Sequence, residues 1–358
     1  MSAGLSVVIP TLNGSSGVER CLRALHAQTI WTELEIIVVD DGSDDDTQQV
    51  AAAYGAMVVR HPVRRGVSAA RNSGIAAAGA PCVAFLDDDC EPCPEWAELL
   101  ITAYDPSVVG VGGSIVACSQ PGIMRSYLAR HNPLNPQERD LARSHGVPYR
   151  FWLYLRRQWT AQQNYSRREV VSLPSANLSA RRQALVDIGG FDERIRFGSE
   201  DEDLCYRLRR QFPDNRLIFE PDAMVTHHFK SSLIDTMRRS YLYGRGSALM
   251  YRKWPQVPPT FFPYPVIVLA TLIFSVRHPL LLAAAAVAPH VFYPQGMRAV
   301  LGGSGPVCVV DPYLQLLQEA CDNVGFVRGL WDFRRFVDMP LPGSIQPAAP
   351  GKGASSSR

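Results

Sequence analysis

The stretch Cys82-Val-Ala-Phe-Leu-Asp-Asp-Asp89 places three consecutive carboxylates directly after five apolar residues. An apolar run of this length predicts a buried strand. Three carboxylates at the point where such a strand ends form a concentrated anionic pocket, which is stable beside a cation or a cationic ligand. A hard divalent metal suits these ligands, and a metal held this way commonly bridges to substrate phosphates. Taken alone, the triplet has a second interpretation, a solvated turn of acids.

Strand and helix signals alternate on the amino-terminal side of this triplet. The predicted strands before it are Leu5–Pro10, Leu34–Val39 and Ala56–Arg60, and the predicted helices are 18–28, a segment after Ser43, and 66–80. This alternation predicts an α/β fold with a mostly parallel sheet flanked by helices. Ligands of such sheets bind at the carboxyl edge. We therefore expect the polar residues near Thr11, Asp41 and Asp87 to converge on one edge.

Five motifs in order give the chain a resemblance to a known family. They are SVVIPTLN (6–13), IIVVDDGSDDDT (36–47), GVSAARNSGI (66–75), FLDDDCEP (85–92) and GGFDERIRFGSEDEDLCYRL (189–208). Together they resemble the inverting family 2 glycosyltransferases, over roughly residues 4 to 230. The resemblance implies a Rossmann-like GT-A fold, a nucleotide-diphosphate sugar as donor, and a divalent metal, Mn or Mg, as cofactor.

The composition narrows the class of partner and compartment. The formal net charge of +2 over 358 residues gives no reason to expect nucleic acid as a partner. Of the eight cysteines, Cys90 and Cys93 form a single CxxC with no second pair to complete a zinc site, which favours unpaired thiols in a reducing compartment. Because the first strand already begins at Leu5, we expect no signal peptide and a cytosolic catalytic part.

The resemblance assigns the donor side of the site. It gives Asp87, Asp88 and Asp89 to the metal and the diphosphate, with Asp89 as the surest metal ligand and Asp87 as the second. A metal there would stabilise the charge on the departing diphosphate. Asp41 corresponds to the carboxylate that reads the nucleobase, although it also fits a helix N-cap together with Asp44 to Asp46. The remaining candidates for the nucleotide sugar are Pro10, Thr11, Asn13, Arg65 and its rival cation Arg71.

The catalytic base is expected in the second acidic cluster, GSEDEDL, residues 198–204. An inverting transfer needs one general base to deprotonate the acceptor hydroxyl. The resemblance maps this base onto Asp201, with Glu200 as the residue that positions it and Asp203 facing elsewhere on the helix. The alternative is the ordinary preference of helix N-termini for acids.

Three weaker assignments complete the predicted site. Asn177 is the candidate on the acceptor side, and His227, favoured over His228, is a candidate additional metal ligand. Aromatic residues of the region 119–170 either stack on a sugar ring or pack in the core; they are Trp152, Tyr154, Trp159 and Tyr165.

The character of the chain changes beyond Lys253. Residues 254–298 contain two segments that are almost free of charged residues, which predicts either a hydrophobic hairpin in contact with a membrane or a helical pair buried in the protein. Residues 312–337 read as an amphipathic helix able to lie on an anionic membrane. With these segments the predicted units are 1–118 for nucleotide-sugar binding, 119–253 for the acceptor and base, 254–298 for the hairpin, 299–338 for the amphipathic helix and 339–358 for a disordered tail.

Two classes of function are compatible with these motifs. The first is a glycosyltransferase at the cytoplasmic face of the membrane that acts on a glycan, lipid-linked or small-molecule acceptor. The second is a non-catalytic nucleotide-sugar-binding relative or a nucleotidyltransferase of similar architecture. The first loop, TLNGSSG, has no basic residue to hold a triphosphate, and both acidic clusters are retained, so the sequence favours the glycosyltransferase.

Overall fold

The computed structural model describes residues 4–118, 122–132, 134, 146–159, 166–196, 198–230, 232–278, 280–302 and 309–335. Within these residues nine strands form one sheet: β1 Leu5–Thr11, β2 Leu34–Asp40, β3 Met57–Arg60, β4 Cys82–Leu86, β5 Cys90–Pro92, β6 Val108–Ala117, β7 Arg168–Val170, β8 Asn177–Arg181 and β9 Arg216–His227.

Helices cover the sheet and follow it at the carboxyl terminus. In chain order they are α1 Ser15–His26, α2 Thr47–Ala53, α3 Val67–Ala77, α4 Trp96–Thr102, α5 Ile123–Arg130, α6 Val147–Trp159, α7 Arg182–Asp187, α8 Glu200–Gln211, α9 Leu233–Lys253, α10 Pro263–Ser275, α11 Leu280–Phe292, α12 Gln295–Leu301 and α13 Asp311–Asp332.

The sheet has a parallel half and a mixed half. Its strand order is β3-β2-β1-β4-β8-β6-β9-β5, with β7 paired to β9. The neighbours from β3 to β4 are all parallel, as the alternating strands and helices predict. Beyond β4 the sheet departs from the expected mostly parallel pattern, because β8 enters antiparallel between β4 and β6. The fold is therefore α/β with a mixed sheet.

The apolar runs form strands because both faces of the sheet are covered. Every residue of β1 is buried, and its side chains alternate between two cores. Leu5, Val7 and Ile9 pack in the core shared with α1 and α4, whereas Val8 packs in the core on the α3 side. Alternation between two buried faces explains why the run is continuously apolar.

The carboxyl-terminal helices are attached to the sheet domain through α9. Helices α9 and α13 pack at very short range, since a Cβ added at Gly329 would lie 2.7 Å from Ala248 Cβ and 3.0 Å from the Arg245 backbone. Cβ atoms at Gly244 and Gly325 would collide with the opposing backbone. The predicted amphipathic helix is thus present as α13, and one of its faces is used for packing on α9. Residues 339–358, predicted to be disordered, lie outside the described residues.

Helices α10 and α11 display a large apolar surface, which we call the apolar face. Its members have exposed fractions from 42% to 86% and are Ile267, Leu269, Leu272, Ile273, Phe274, Val276, Leu280, Leu282, Val287 and Val291. A helical pair buried within the protein would not leave these side chains open, so among the described residues the buried interpretation is wrong.

None of the described helices is by itself long and apolar enough to cross a bilayer, and α11 and α12 reach that length and apolarity only as a pair bent by 70°.

Candidate functional site

A cavity of about 480 Å³ opens at the carboxyl edge of the parallel strands. The predicted convergence is observed, because Pro10, Thr11, Asp41 and the Asp87–Asp89 triplet all line this cavity. Glu200 and Asp201 line it from the opposite side. Two acidic clusters that are more than a hundred residues apart in sequence therefore share one cavity.

Asp88 is the member of the triplet that the start of α1 approaches. Thr11 Oγ1 donates a hydrogen bond to Asp88 Oδ2 at 2.6 Å. Glycines at the start of α1 allow this approach, since a Cβ at Gly17 would lie 2.8 Å from the Asp88 carbonyl oxygen and a Cβ at Gly14 would collide with the Asp88 carboxylate. Burial, together with the charges of Asp89 and Asp87, raises the pKa of Asp88 to about 7.

Asp87 is connected to the second acidic cluster by a single cation. Arg71 Nη2 donates to Asp87 Oδ1 at 2.9 Å, and Arg71 Nη1 donates to Glu200 Oε1 at 3.0 Å. The Arg71 side chain is only 3% exposed. Burial by itself lowers the pKa of Arg71, but the charges of Asp87 and Glu200 raise it above its usual value, so the guanidinium remains charged. Of the two candidate cations, Arg65 and Arg71, it is therefore Arg71 that lies in the site.

Asp89 and His227 approach each other at the outer end of the triplet. His227 Nε2 lies 3.5 Å from Asp89 Oδ1, and these two residues with Cys90 each offer a ligand atom within 4.8 Å of the others. Burial lowers the pKa of His227 to about 4, which leaves the imidazole in its neutral, metal-binding form. Burial, with the charge of Asp87, keeps the pKa of the Cys90 thiol well above its usual value.

This donor set fits a divalent metal. Carboxylate oxygen and neutral imidazole suit Mn²⁺, whereas a protonated thiol does not compete for a hard ion. Of the three predicted ligands, Asp89 and His227 are brought together, whereas Asp87 is hydrogen-bonded to Arg71. His228 turns elsewhere, with its Nε2 2.6 Å from Glu91 Oε1.

Asp41 lines the cavity, and both oxygens of its carboxylate are also held by neighbouring residues. Its Oδ1 lies 2.7 Å from His61 Nδ1 and accepts a hydrogen bond from the Arg65 backbone N–H at 2.8 Å, while Oδ2 accepts one from Gly66 N–H at 2.7 Å. The N-cap residue of α2 is Asp46. The alternative role of Asp41 as a cap of that helix is therefore wrong. Its carboxylate fixes the loop that leads into α3.

Two predicted donor residues lie around the cavity rather than in its wall. The side-chain oxygen of Asn13 accepts a hydrogen bond from Asp44 N–H at 2.8 Å, and the residue adopts a positive φ of 52°. Asn13 therefore joins the loops after β1 and β2. Arg65 reaches the surface, where its Nη2 pairs with Glu193 Oε2 at 3.2 Å. Its neighbour Arg64 lines the cavity instead.

The carboxylate of Asp201 lies in the first turn of α8 and is held by backbone donors. Its Oδ2 accepts from Ser175 N–H at 3.2 Å, and its Oδ1 accepts from Glu202 N–H at 2.8 Å. Burial, followed by the charges of Glu200 and Glu202, raises the pKa of Asp201 to about 7 even though Arg71 opposes the shift. A carboxylate with this pKa is suited to accept a proton near neutral pH.

A strained turn positions the start of α8. Gly198 and Ser199 both have positive φ angles, 68° and 67°. The turn is pressed against α9, because a Cβ at Gly246 would lie 2.7 Å from Ser199 Oγ and 2.8 Å from the Gly198 carbonyl oxygen. A non-glycine residue at positive φ is costly and is characteristic of functional sites.

Asn177 does not lie in the site, so its predicted acceptor-side role is not supported. The residue is fully buried in β8. Its side-chain oxygen accepts from Trp96 Nε1 at 2.8 Å, and its amide donates to the carbonyl oxygens of Ser114 and Ala223 at 3.0 and 2.8 Å. Since its oxygen and its amide nitrogen both have hydrogen-bond partners, the Asn177 side chain joins three parts of the core. It has no polar group left for a ligand.

The cavity also contains residues that the sequence did not single out. Arg239 and Tyr243 come from α9, and Ser175 comes from the loop before β8. Helix α9 carries no motif, so its contribution is visible only in the folded chain.

The aromatic candidates of the region 119–170 that the structure describes either contact other parts of the protein or are exposed at its surface. Tyr154 donates a hydrogen bond to Glu319 Oε2 at 2.8 Å, and Trp152 and Trp159 are each 51% exposed. Tyr165 lies outside the described residues.

Comparisons with known proteins identify the family of the chain. The profile of Glycosyl transferase family 2 matches residues 6–185. The pre-mycofactocin glycosyltransferase of Mycobacterium tuberculosis is 34% identical over 256 residues, which are 70% of this chain and 48% of that protein. The chain therefore spans about half the length of this relative. The glucosyl-dolichyl phosphate glucuronosyltransferase of Haloferax volcanii is 25% identical over 269 residues, with 70% and 79% covered.

A solved structure shows the same fold. The mannosyltransferase PcManGT of Pyrobaculum calidifontis, solved with GDP-Man and Mn²⁺, superposes with a TM-score of 0.54 and 20% identity, over 93% of this chain and 88% of that one. This supports the GT-A fold that the motifs predict. With half of the chain matched by the family profile, the chain belongs to glycosyltransferase family 2.

Proposed function

We propose that the protein transfers a sugar from a nucleotide-diphosphate sugar to an acceptor hydroxyl by a single displacement with inversion. The observation that carries this proposal is the Arg71 bridge, with contacts of 2.9 Å to Asp87 and 3.0 Å to Glu200. One buried cation fixes the donor-side carboxylates against the helix that carries the proposed base. Such an arrangement serves a reaction in which leaving group and nucleophile act in one step.

Asp201 is the proposed general base. Its carboxylate takes the proton of the acceptor hydroxyl as the oxygen forms its bond to the anomeric carbon and the bond to the nucleoside diphosphate breaks. Its pKa of about 7 makes this transfer efficient near neutral pH. Glu200, fixed by Arg71, positions the first turn of α8. One base suffices, because no covalent sugar–enzyme intermediate forms.

Asp89 and His227, with Asp87 beside them, are the proposed holders of Mn²⁺ or Mg²⁺. The metal would supply Lewis-acid stabilisation of the negative charge on the diphosphate. Asp88 contributes through its hydrogen bond with Thr11, which fixes the loop between β4 and β5. Pro10, Thr11 and Asp41 form the wall proposed to receive the nucleotide.

Donor turnover tests this function directly. We expect release of a nucleoside diphosphate from one member of a panel of nucleotide sugars with Mn²⁺, complete loss with a chelator, and recovery with Mn²⁺ or Mg²⁺. Asp89→Asn should abolish donor binding and turnover, whereas the exposed Asp222→Asn, on β9 outside the cavity, should leave both unchanged. Full activity in chelator contradicts the metal assignment.

We further propose that the apolar face of α10 and α11 contacts the cytoplasmic face of a membrane. Each helix has 13 residues and is about 20 Å long, shorter than the roughly 30 Å hydrocarbon core. Arg277 follows α10 and Arg298 lies in α12, which follows α11, and cations at such positions favour an anionic lipid surface. These lengths favour helices that lie in one leaflet over a spanning hairpin.

Vesicle flotation tests the membrane contact. The full-length chain should float with anionic vesicles and resist release by high salt, because apolar burial is not screened by ions. The double variant Leu269→Glu, Ile273→Glu should lose flotation. Ile234→Glu on α9 is the matched control, since Ile234 is 79% exposed but lies outside the apolar face. A full-length chain that stays in solution, or that self-associates through this face, contradicts the proposal.

A further inference from the structure

A second cavity of about 300 Å³ adjoins the catalytic one. The basic residues of its lining are Arg20 from α1, Arg125 from α5 and His228, and Phe229 is a common wall of both cavities. On the catalytic side, the Phe229 ring stacks on His227 at 3.9 Å between ring centroids. The second cavity therefore begins one aromatic ring away from the proposed metal ligand.

The two cavities differ in the acidic residues that line them. Six carboxylates line the catalytic cavity (Asp41, Asp87, Asp88, Asp89, Glu200 and Asp201), whereas no acidic residue is among the described residues that line the second. Outside this lining, Glu91 Oε1 lies 3.7 Å from Arg20 Nε and 2.6 Å from His228 Nε2. Glu91 orients these two basic groups along the wall. Arg20 Nε has no hydrogen-bond acceptor in the described part of the chain.

The second cavity also lies at the junction with the carboxyl-terminal helices. Helix α5, which contributes Arg125, is fastened to α13 through the Tyr127 hydroxyl, which donates to Gln318 Oε1 at 2.7 Å. Arg130 Nε donates to Asp311 Oδ2 at 2.7 Å. Helix α13 in turn contacts α11, where the Tyr313 hydroxyl donates to the Ala286 carbonyl oxygen at 2.8 Å. The same group of helices thus connects the basic cavity to the apolar face.

We propose that the second cavity binds a phosphoryl group carried by the acceptor. This inference rests on the proposed function, in which the donor diphosphate already has its place beside Asp89 and His227. Guanidinium groups are the side chains best matched to phosphate oxygens. An acceptor with its hydroxyl toward Asp201 and its phosphoryl group on Arg20 and Arg125 would span the two cavities past Phe229. The acceptor class is therefore a phosphorylated molecule, either soluble or anchored in lipid.

Binding of inorganic phosphate to the full-length protein, without divalent metal or nucleotide, tests the site. We expect titration calorimetry to show affinity at least about tenfold weaker in the double variant Arg20→Gln, Arg125→Gln, because each lost charged contact removes a strong hydrogen bond. Arg23→Gln is the matched control: Arg23 is on the same helix, 67% exposed and paired with Glu19. Single variants at Arg20 and Arg125 should show intermediate losses.

The source of the phosphoryl group is resolved by competition. Phosphatidylcholine vesicles containing phosphatidic acid should displace phosphate if the acceptor is lipid-borne, whereas pure phosphatidylcholine vesicles should not. Phosphate that is retained against both kinds of vesicle assigns the site to a soluble phosphorylated acceptor.

Two results overturn the inference: no phosphate binding by the native chain, or equal binding by the native chain and the double variant. Binding of nucleoside diphosphate with Mn²⁺ should be the same in all of these variants, which also shows that they fold. Failure of donor turnover in the native chain would instead count against the proposed function, and the phosphate result is read separately from it.

Discussion

The two faces of helix α8 hold carboxylates of the same chemistry in opposite environments. On one face Asp201 is half-buried at the cavity, and desolvation, followed by the charges of Glu200 and Glu202, raises its pKa to about 7. On the other face Asp203 is fully buried among cations. Lys253 Nζ lies 2.6 Å from its Oδ1 and Arg207 Nε 2.8 Å from its Oδ2, and Trp254 Nε1 donates to Oδ1 at 2.8 Å.

This contrast separates a carboxylate that does chemistry from one that holds the fold. Lys253 also pairs with Asp192 at 2.7 Å, so the end of α9 is fastened to two segments beside the site. Burial by itself raises the pKa of Asp192, but hydrogen bonds from Arg194 and Lys253 hold this pKa below its usual value. Compensation by cations, rather than burial or residue type, distinguishes the structural acids from Asp201.

The largest effect on stability should come from removing the carboxylate of Asp203, whose charge is compensated by neighbouring cations. Asp203→Asn leaves Arg207 and Lys253 with lost ion pairs in the interior, so we expect the free energy of unfolding to fall by about 3 kcal/mol. Urea denaturation measures this loss. The exposed Asp187→Asn, on α7, is the control and should stay within about 0.5 kcal/mol of the native protein. An equally small change at Asp203 would mean that the two faces of α8 do not differ as described.

Asp201→Asn should give the reverse result. The amide keeps the size of the side chain but cannot take a proton, so turnover should drop roughly 100-fold or more. Stability and donor affinity should hardly change, because no cation among the described residues pairs with Asp201 at contact distance and Asp201 lies on the acceptor side. Steady-state kinetics and donor titration measure both quantities. Turnover that survives while donor binding collapses would transfer the role of base to Glu200.

The pH profile gives a smaller and more specific test. A base acts in its deprotonated form, so the pKa of about 7 for Asp201 predicts that turnover rises about tenfold per pH unit below 7 and levels off above it. Asp203→Asn should keep this profile, whereas the residual activity of Asp201→Asn should lose it. A rate that is flat between pH 5 and 8 in the native protein would contradict the raised pKa.

The sequence predicted the parallel half of the sheet well because there each apolar run and each helix is local. The strands from Leu5, Leu34 and Cys82 and the convergence of Thr11, Asp41 and the Asp triplet are all present. The mixed half was less predictable, since β8 enters antiparallel through contacts that no local pattern encodes. Strand β9 likewise continues from Arg216 through Pro221 to His227 and pairs with strands distant in sequence.

Individual roles were harder to predict than the location of the site. Asn177 carries the right chemistry for a ligand, but its side chain is consumed by Trp96 and two backbone carbonyls. Arg65 and Arg71 are six residues apart and equally charged, and only the helical geometry of α3 decides which one reaches the carboxylates. Arg239 and Tyr243 line the cavity because α9 passes beside it, and no sequence motif in α9 predicts this position.

The glycine contacts between α9 and α13 limit how this protein can diverge or be recombined. Positions 244 and 325 have no room for a side chain, and each helix supplies the surface that makes glycine necessary in the other. A chimaera that takes its carboxyl-terminal helices from a relative while keeping its own α9 would bring together two surfaces that were never selected to fit. The same reasoning applies to shortening the gene: a stop codon after Lys253 would leave the glycine-lined side of α9 facing water. Exchange or deletion in this family member should succeed only when α9 and α13 are treated as one inherited unit.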